Sequence, residues 1–211
     1  MRRSNPRSHA SLLHAGLLLL TMATLSGCWA FLETDLQKAI ESHDAATVKR
    51  LLDAGAPLAR SWSELVPPER LAIVKLEGTV PESIEILRLL VAATADPRAF
   101  VHQDFYTNCK RGPCYSPTTV EHVARSRSVE AVQVLIDAGL DLRSQGVTNA
   151  LVYAIAEDDE AMPRFLVAAG ADVNGWAKSG SNYYGVVSVL EAARRKKNQA
   201  LVDFLVAKGA Q

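Results

Sequence analysis

Apolar residues recur in five similar segments between residues 35 and 211. Each segment is an apolar pair followed by two further residues and then glycine, which is replaced once by threonine. In most copies another apolar residue lies three positions before the pair, which is the spacing of one helical face. A glycine at the end of such a face is the usual left-handed residue that ends a helix. The pattern therefore predicts five helices, in the segments 51–56, 90–95, 135–140, 166–171 and 205–210.

A shorter helix is predicted before each of these. Alanine lies sixteen positions before the terminal glycine in three copies, and a larger apolar residue lies nineteen positions before it in four copies. Small and large residues at fixed offsets predict a first helix that packs closely, a tight turn and a longer second helix. Such self-similarity is typical of a solenoid. The alanines are Ala39, Ala154 and Ala193, and the larger residues are Leu36, Val120, Leu151 and Leu190.

The sequence Ala-Gly-Ala-Asp-Val-Asn at 169–174 resembles the helix end of an ankyrin repeat, a helix–turn–helix unit of about 33 residues with a hairpin finger between units. The resemblance implies an all-α ankyrin-repeat solenoid of about five repeats over residues 35–211. The chain departs from the family at Thr94, in a longer inter-helix turn at 77–81, and in lacking an intact Thr-Pro-Leu-His opening, of which 116–118 is a relic. An unrelated array of α-hairpins is the alternative.

The spacing of the predicted helix ends identifies insertions. Successive ends at 55, 94, 139, 170 and 209 are 39, 45, 31 and 39 residues apart. Against a unit of about 33, the third interval carries no extra residues, whereas part of the excess in the second lies in the finger region 97–116. Function is expected in these insertions, because they interrupt an otherwise regular array.

Residues 1–27 have the pattern of an export signal. Three arginines and no acid precede an apolar stretch at 10–25, which is shorter than the roughly 20 residues that span a membrane. Leu-Ser-Gly-Cys at 25–28 resembles the lipobox of bacterial lipoproteins. The resemblance implies removal of 1–27, acylation of Cys28 and a short tether at 28–34. The alternatives are an ordinary signal peptide or an uncleaved anchor.

The same resemblance bears on localisation. Trp29, rather than aspartate, follows the cysteine, which by resemblance to lipoproteins of Gram-negative bacteria favours the outer membrane, with the repeats in the periplasm. Several acyl chains make a durable anchor, because each buried methylene contributes about 0.8 kcal/mol.

The charge balance excludes one class of partner. The 23 Lys and Arg equal the 23 Asp and Glu, whereas a nucleic-acid binder usually carries a basic excess. Without the three signal arginines the mature chain has 20 basic and 23 acidic residues, a net charge of −3. A mildly acidic protein is suited to a basic protein partner.

Aromatic residues are few and concentrated outside the repeat helices. Eight of thirteen lie in inter-repeat segments, and Trp and Tyr dominate protein-binding hot spots. The alternative is that the rings pack finger against finger and stiffen the array. Phe100 is also one of the eight aromatic residues in inter-repeat segments. The predicted partner-binding residues are Trp62, Phe105, Tyr106, Tyr115, Trp176, Tyr183 and Tyr184.

Cys109 and Cys114 lie in the longest insertion, with a Gly-Pro turn between them. In an oxidising compartment this spacing predicts a disulfide that holds a finger tip. Zinc with His102 and His122 is the alternative, although the spacing fits no standard zinc module. The basic run at 194–197 is predicted at a turn, where it contacts anionic lipid or an acidic partner or, more plainly, is solvated and neutralises a helix C-terminus.

No catalytic motif accompanies these features. The chain has no Gly-x-Ser-x-Gly elbow, P-loop, dinucleotide fingerprint or His-Glu-x-x-His, so we expect a non-catalytic protein without a cofactor. Lipid-anchored ankyrin proteins of this kind resemble immunity proteins that occlude secreted antibacterial toxins, such as phospholipases. The alternatives are a scaffold or chaperone for a resident periplasmic enzyme, and a structural envelope lipoprotein.

Overall fold

The computed structural model describes residues 34–58, 71–73, 75–101, 117–177 and 186–211. Residues 71–73 are helical, and the remaining elements follow in chain order. They are α1 (Asp35–Glu41), α2 (Ala45–Asp53), α3 (Pro81–Ala93), α4 (Pro97–Val101), α5 (Thr119–Arg125), α6 (Val129–Asp137), α7 (Gln145–Ala156), α8 (Ala161–Ala169), β1 (Trp176–Ala177), β2 (Val187–Ser188), α9 (Val189–Arg195) and α10 (Gln199–Ala207).

The helices pair into stacked units. Helices α1 and α2 form unit 1, α5 and α6 unit 3, α7 and α8 unit 4, and α9 and α10 unit 5, while residues 71–73 and α3 belong to unit 2. The first helices α5, α7 and α9 contact one another in sequence order, and the second helices α2, α3, α6 and α8 do the same. This stacking is the predicted solenoid.

Left-handed residues end the second helices. The predicted glycine C-caps are confirmed by φ values between +82° and +112° at Gly55, Gly139, Gly170 and Gly209. After α6, for example, the N–H of Gly139 donates to the carbonyl of Ile136 at 2.9 Å, which satisfies an orphan carbonyl. Helix α3 ends differently, because Thr94 has a φ of −73°.

A second left-handed position lies twelve residues before each of those glycines, in the turn between the two helices of a unit. Its φ lies between +55° and +59° although the residue has a side chain. This position cannot be recognised from the sequence, because the four residues share no chemical type. They are His43, Arg127, Asp158 and Lys197.

The core consists of the predicted apolar rows. The residues nineteen positions before the terminal glycine are at most 3% exposed, and the predicted alanines are at most 4% exposed. The buried apolar residues form two clusters that divide at α3: Ile86 and Leu90 belong to the cluster of unit 1, and Leu87 and Val91 to the cluster of units 3 to 5. Helix α3 therefore joins two cores.

The finger predictions are confirmed in one place and corrected in two. Strands β1 and β2 pair antiparallel between units 4 and 5, as predicted for a hairpin finger. The start of the 97–116 finger region is instead helix α4, which buries Phe100 in the core at 4% exposure. Between units 3 and 4 the finger is replaced by a turn and an earlier start of α7, which begins six residues before Leu151.

Side chains cap the starts of several helices, among them α1, α2, α6, α9 and α10. The Asp44 carboxylate accepts the Thr47 N–H at 2.9 Å at the start of α2. This backbone hydrogen bond lowers the pKa of the Asp44 carboxyl, so the cap is lost only as the pH falls through that lowered value. Pro163 is the third residue of α8, in the first turn, where a residue without a main-chain N–H is tolerated. Among the described residues, no helix has the length and apolar character to cross a membrane.

Candidate functional site

The finger between units 4 and 5 has one buried and one exposed face. Ala177 and Val187 face each other across the strand pair and are at most 1% exposed, against the core. Trp176 is 61% exposed and Val186 is 62% exposed. Trp176 lies opposite Ser188, and side chains two residues apart in a strand share a face. Trp176 in β1 and Val186 immediately before β2 are exposed apolar residues of this finger, and we call the two the finger patch.

Three polar side chains connect the finger patch to the two preceding units. The side-chain nitrogen Nε2 of Gln145 donates to the main-chain oxygen of Trp176 at 2.8 Å and to Oδ1 of Asn149 at 3.0 Å. Asn149 Nδ2 in turn donates to Oε1 of Glu121 at 3.2 Å. Asn149 and Glu121 are 4% and 3% exposed. We call Glu121, Asn149 and Gln145 the polar relay.

The relay depends on the added turn of α7. Asn149 lies twenty-one residues before the terminal glycine of its unit, and the corresponding residues Thr34, Thr118 and Ser188 each begin a first helix. In unit 4 this position lies inside α7, so its side chain is available for the relay. A Cβ at Gly146 would overlap the Thr118 side chain, so glycine permits the close contact between the added turn and unit 3.

The last turns of the first helices carry cationic and aromatic side chains. The Arg125 guanidinium lies over the Tyr153 ring, 4.6 Å from its centroid, which links α5 to α7. Arg125 and Arg195 both lie fourteen residues before the glycine of their units, and both are exposed. Arg195 also makes an ion pair with Glu191 at 2.9 Å.

The predicted basic run at 194–197 lies at the last inter-helix turn, where one of its lysines makes hydrogen bonds to the preceding unit. Lys196 Nζ donates to Oδ2 of Asp158 at 2.6 Å and to the carbonyl of Ala156 at 3.0 Å, beside the C-terminus of α7. The prediction that this run neutralises a helix end is supported for Lys196, but the helix is that of the preceding unit. Arg194 is exposed at the position where units 3 and 4 bury Ala124 and Ile155, so unit 5 carries a charged side chain there in place of an apolar one.

The structure describes one of the predicted partner-binding residues, Trp176, and places it on the surface. Sequence reasoning missed Val186, Gln145 and Asn149; the two amides four residues apart in an apolar helix were the available signal. The other predicted site residues lie outside the described ranges. They are Cys28, Trp62, Phe105, Tyr106, Cys109, Cys114, Tyr115, Tyr183 and Tyr184.

The described ranges contain no group of three or more His, Cys, Asp or Glu residues arranged to hold a metal ion. His122 lies on α5 and is half-buried. Its predicted alternative partners His102, Cys109 and Cys114 lie outside those ranges, so both the disulfide and the zinc hypothesis stay predictions.

Comparison with known proteins identifies the fold. No family model matches the chain. A curated relative, the E3 ubiquitin-protein ligase KEG of Arabidopsis thaliana, is 24% identical over 162 residues, and the match covers 74% of this chain but 9% of the ligase.

Two solved structures are similar over most of the chain. The human ASB11 ankyrin repeat domain has a TM-score of 0.57 at 14% identity and covers 85% of this chain and 71% of its own. The ankyrin repeat domain of Bcl-3, a member of the IkappaB family, has a TM-score of 0.58 at 24% identity, with 85% and 73% covered. The predicted all-α ankyrin-repeat fold is confirmed.

Proposed function

We propose that this ankyrin-repeat chain is a non-catalytic, lipid-anchored periplasmic protein that binds another protein with its finger-bearing face. The observation that carries the proposal is Trp176, which is 61% exposed on a finger whose main chain is held by Gln145. A large exposed aromatic on a fixed backbone suits a binding anchor, because little conformational freedom is lost on binding. The pattern of residues 1–28 supports export and acylation at Cys28.

The sharper form of the proposal is an immunity protein. The fingers would cover the active-site entrance of a secreted antibacterial toxin, for example a phospholipase effector, and the acyl chains would hold the inhibitor at the membrane that the toxin attacks. The mature net charge of −3 is compatible with a basic toxin. A disulfide between Cys109 and Cys114 would stiffen a second finger tip.

The test is deletion of the gene in a strain that is then confronted with toxin-producing siblings. We expect the deletion strain to be killed, and the full chain supplied in trans to restore survival. A Cys28→Ser chain, which cannot be acylated, should protect less well because it is not held at the membrane. If the deletion strain survives as well as its parent, the immunity proposal is wrong, and the scaffold and envelope alternatives take its place.

The partner-binding role of the finger is tested by replacing Trp176 and Tyr184 together by alanine. Capture of the toxin should weaken by more than tenfold, since truncation of an interface hot spot costs about 2 kcal/mol or more. The thermal melt should stay near that of the parent, because Trp176 is outside the core. Titration calorimetry measures the affinity.

The matched control is Val206→Ala. Val206 is 50% exposed on α10 and is not part of the finger, so this variant should bind as the parent does. If the double variant binds normally, these rings are not part of the binding surface. If it unfolds, their role is to stabilise the fold.

A further inference from the structure

The exposed indole of Trp176 is attached to a short strand pair, which would not fix its position alone. Strands β1 and β2 contain two residues each, and an isolated two-stranded hairpin is marginally stable in water. The finger therefore depends on what fastens its base to the helices. The buried contact of Ala177 and Val187 is one fastening, the hydrogen bond from the Val189 N–H to the Gly175 carbonyl is a second, and the hydrogen bond from Gln145 to the Trp176 carbonyl is a third.

The polar relay determines the orientation of both amides. Glu121 also accepts from the Thr118 hydroxyl at 3.2 Å, in a capping box at the start of α5. Beside a carboxylate oxygen, Asn149 must present its NH2 group, which leaves its Oδ1 facing Gln145. Gln145 must then present its own NH2 group, and the remaining proton of that group is directed at the Trp176 carbonyl. The buried carboxylate in unit 3 thereby fixes a donor for the finger of unit 5.

We infer that Gln145 is a positioning residue, which holds the main chain of Trp176 through the polar relay so that the indole is presented in one orientation to a protein partner. The inference deepens the proposed function and depends on it for its biological use. It also gives a reason for the added turn of α7, because that turn places the side chain of residue 145 beside the finger. The added turn thus replaces one finger and supports the next.

The test compares Gln145→Leu with Gln199→Leu in the full-length chain. Gln199 is a surface glutamine that bonds Asp203 at 2.7 Å within α10, so it is matched in residue type and does not touch the finger. Hydrogen exchange of the main-chain amides at 176–177 and 187–188 should be roughly fivefold faster in Gln145→Leu. This is the change in rate expected when the net stabilisation of one typical hydrogen bond is lost. It should be unchanged in Gln199→Leu, and both variants should melt near the parent temperature.

A second readout follows the indole itself. In a background with Trp29→Phe and Trp62→Phe, Trp176 is the remaining tryptophan, and time-resolved fluorescence anisotropy reports its local motion. The amplitude of that motion should rise in Gln145→Leu and stay constant in Gln199→Leu. Equal protection and equal motion in the two variants would overturn the inference.

Gln145→Glu keeps the test decisive if the leucine variant fails to fold. An ionised glutamate has no donor and opposes the Trp176 carbonyl, whereas a protonated one donates again. Finger protection should therefore be low at pH 7 and recover as the pH falls through the glutamate pKa, near 4.3 in model peptides. A flat pH profile would contradict the inference. These measurements need no partner, so their failure is distinguishable from survival of the deletion strain, which bears on the proposed function alone.

Discussion

Replacing Leu151 by alanine should lower the free energy of unfolding by about 3 kcal/mol. Leu151 is completely buried in α7, and this helix contacts the first helices of both neighbouring units. Truncation therefore loses the transfer free energy of the removed atoms and leaves a cavity that rigid neighbours on two sides cannot fill. Urea denaturation followed by circular dichroism measures the change.

Val186→Ala is the control for Leu151→Ala. Val186 is 62% exposed, so its truncation should change stability by less than about 0.5 kcal/mol. If the two variants lose similar amounts, Leu151 is not in a packed core and the stacking of α5, α7 and α9 is wrong.

The regular part of the fold could be predicted from the sequence because it repeats. Leu36, Val120, Leu151 and Leu190 occupy equivalent positions, and their common offset from glycine is visible without coordinates. The glycine C-caps were predictable for the same reason, since a left-handed residue without a Cβ avoids a steric penalty. Where the backbone conformation did not depend on residue type, as at His43 and Lys197, the sequence carried no signal.

The candidate site was predictable only in part, because it depends on departures from the repeat. Trp176 was found as an aromatic residue outside the helices. Asn149 was missed because its role depends on the early start of α7. The equivalent residue of other units begins the first helix, whereas in unit 4 it lies inside α7. Phe100 was grouped with the exposed rings because the sequence does not show that α4 turns it inward. Neither fact follows from periodicity, since each requires the register between units.

Gly78→Ala should cost about 3 kcal/mol, in the upper part of the range for overpacking. Gly78 lies in the turn before α3, and a Cβ there would overlap the carbonyl oxygen of Ser126 and come within 2.9 Å of the Ser128 Cβ. Both belong to the inter-helix turn of unit 3, whose carbonyl is part of the main chain and cannot rotate away. The added methyl must therefore push unit 2 away from unit 3.

The position of Gly78 makes this variant informative about cooperativity. The two apolar clusters divide at α3, so a wedge between units 2 and 3 acts at the junction of the two cores. We expect amide protection in α1 to α3 to fall before that in α5 to α10, as separate units in a hydrogen-exchange experiment.

Gly55→Ala is the control, because Gly55 has a φ of +82° but no atom within 4 Å of a Cβ. It should cost about 1 kcal/mol from backbone conformation alone. Equal losses in the two glycine variants would show that the turns of units 2 and 3 do not pack against each other, and simultaneous exchange in all helices would show that the two clusters unfold as one.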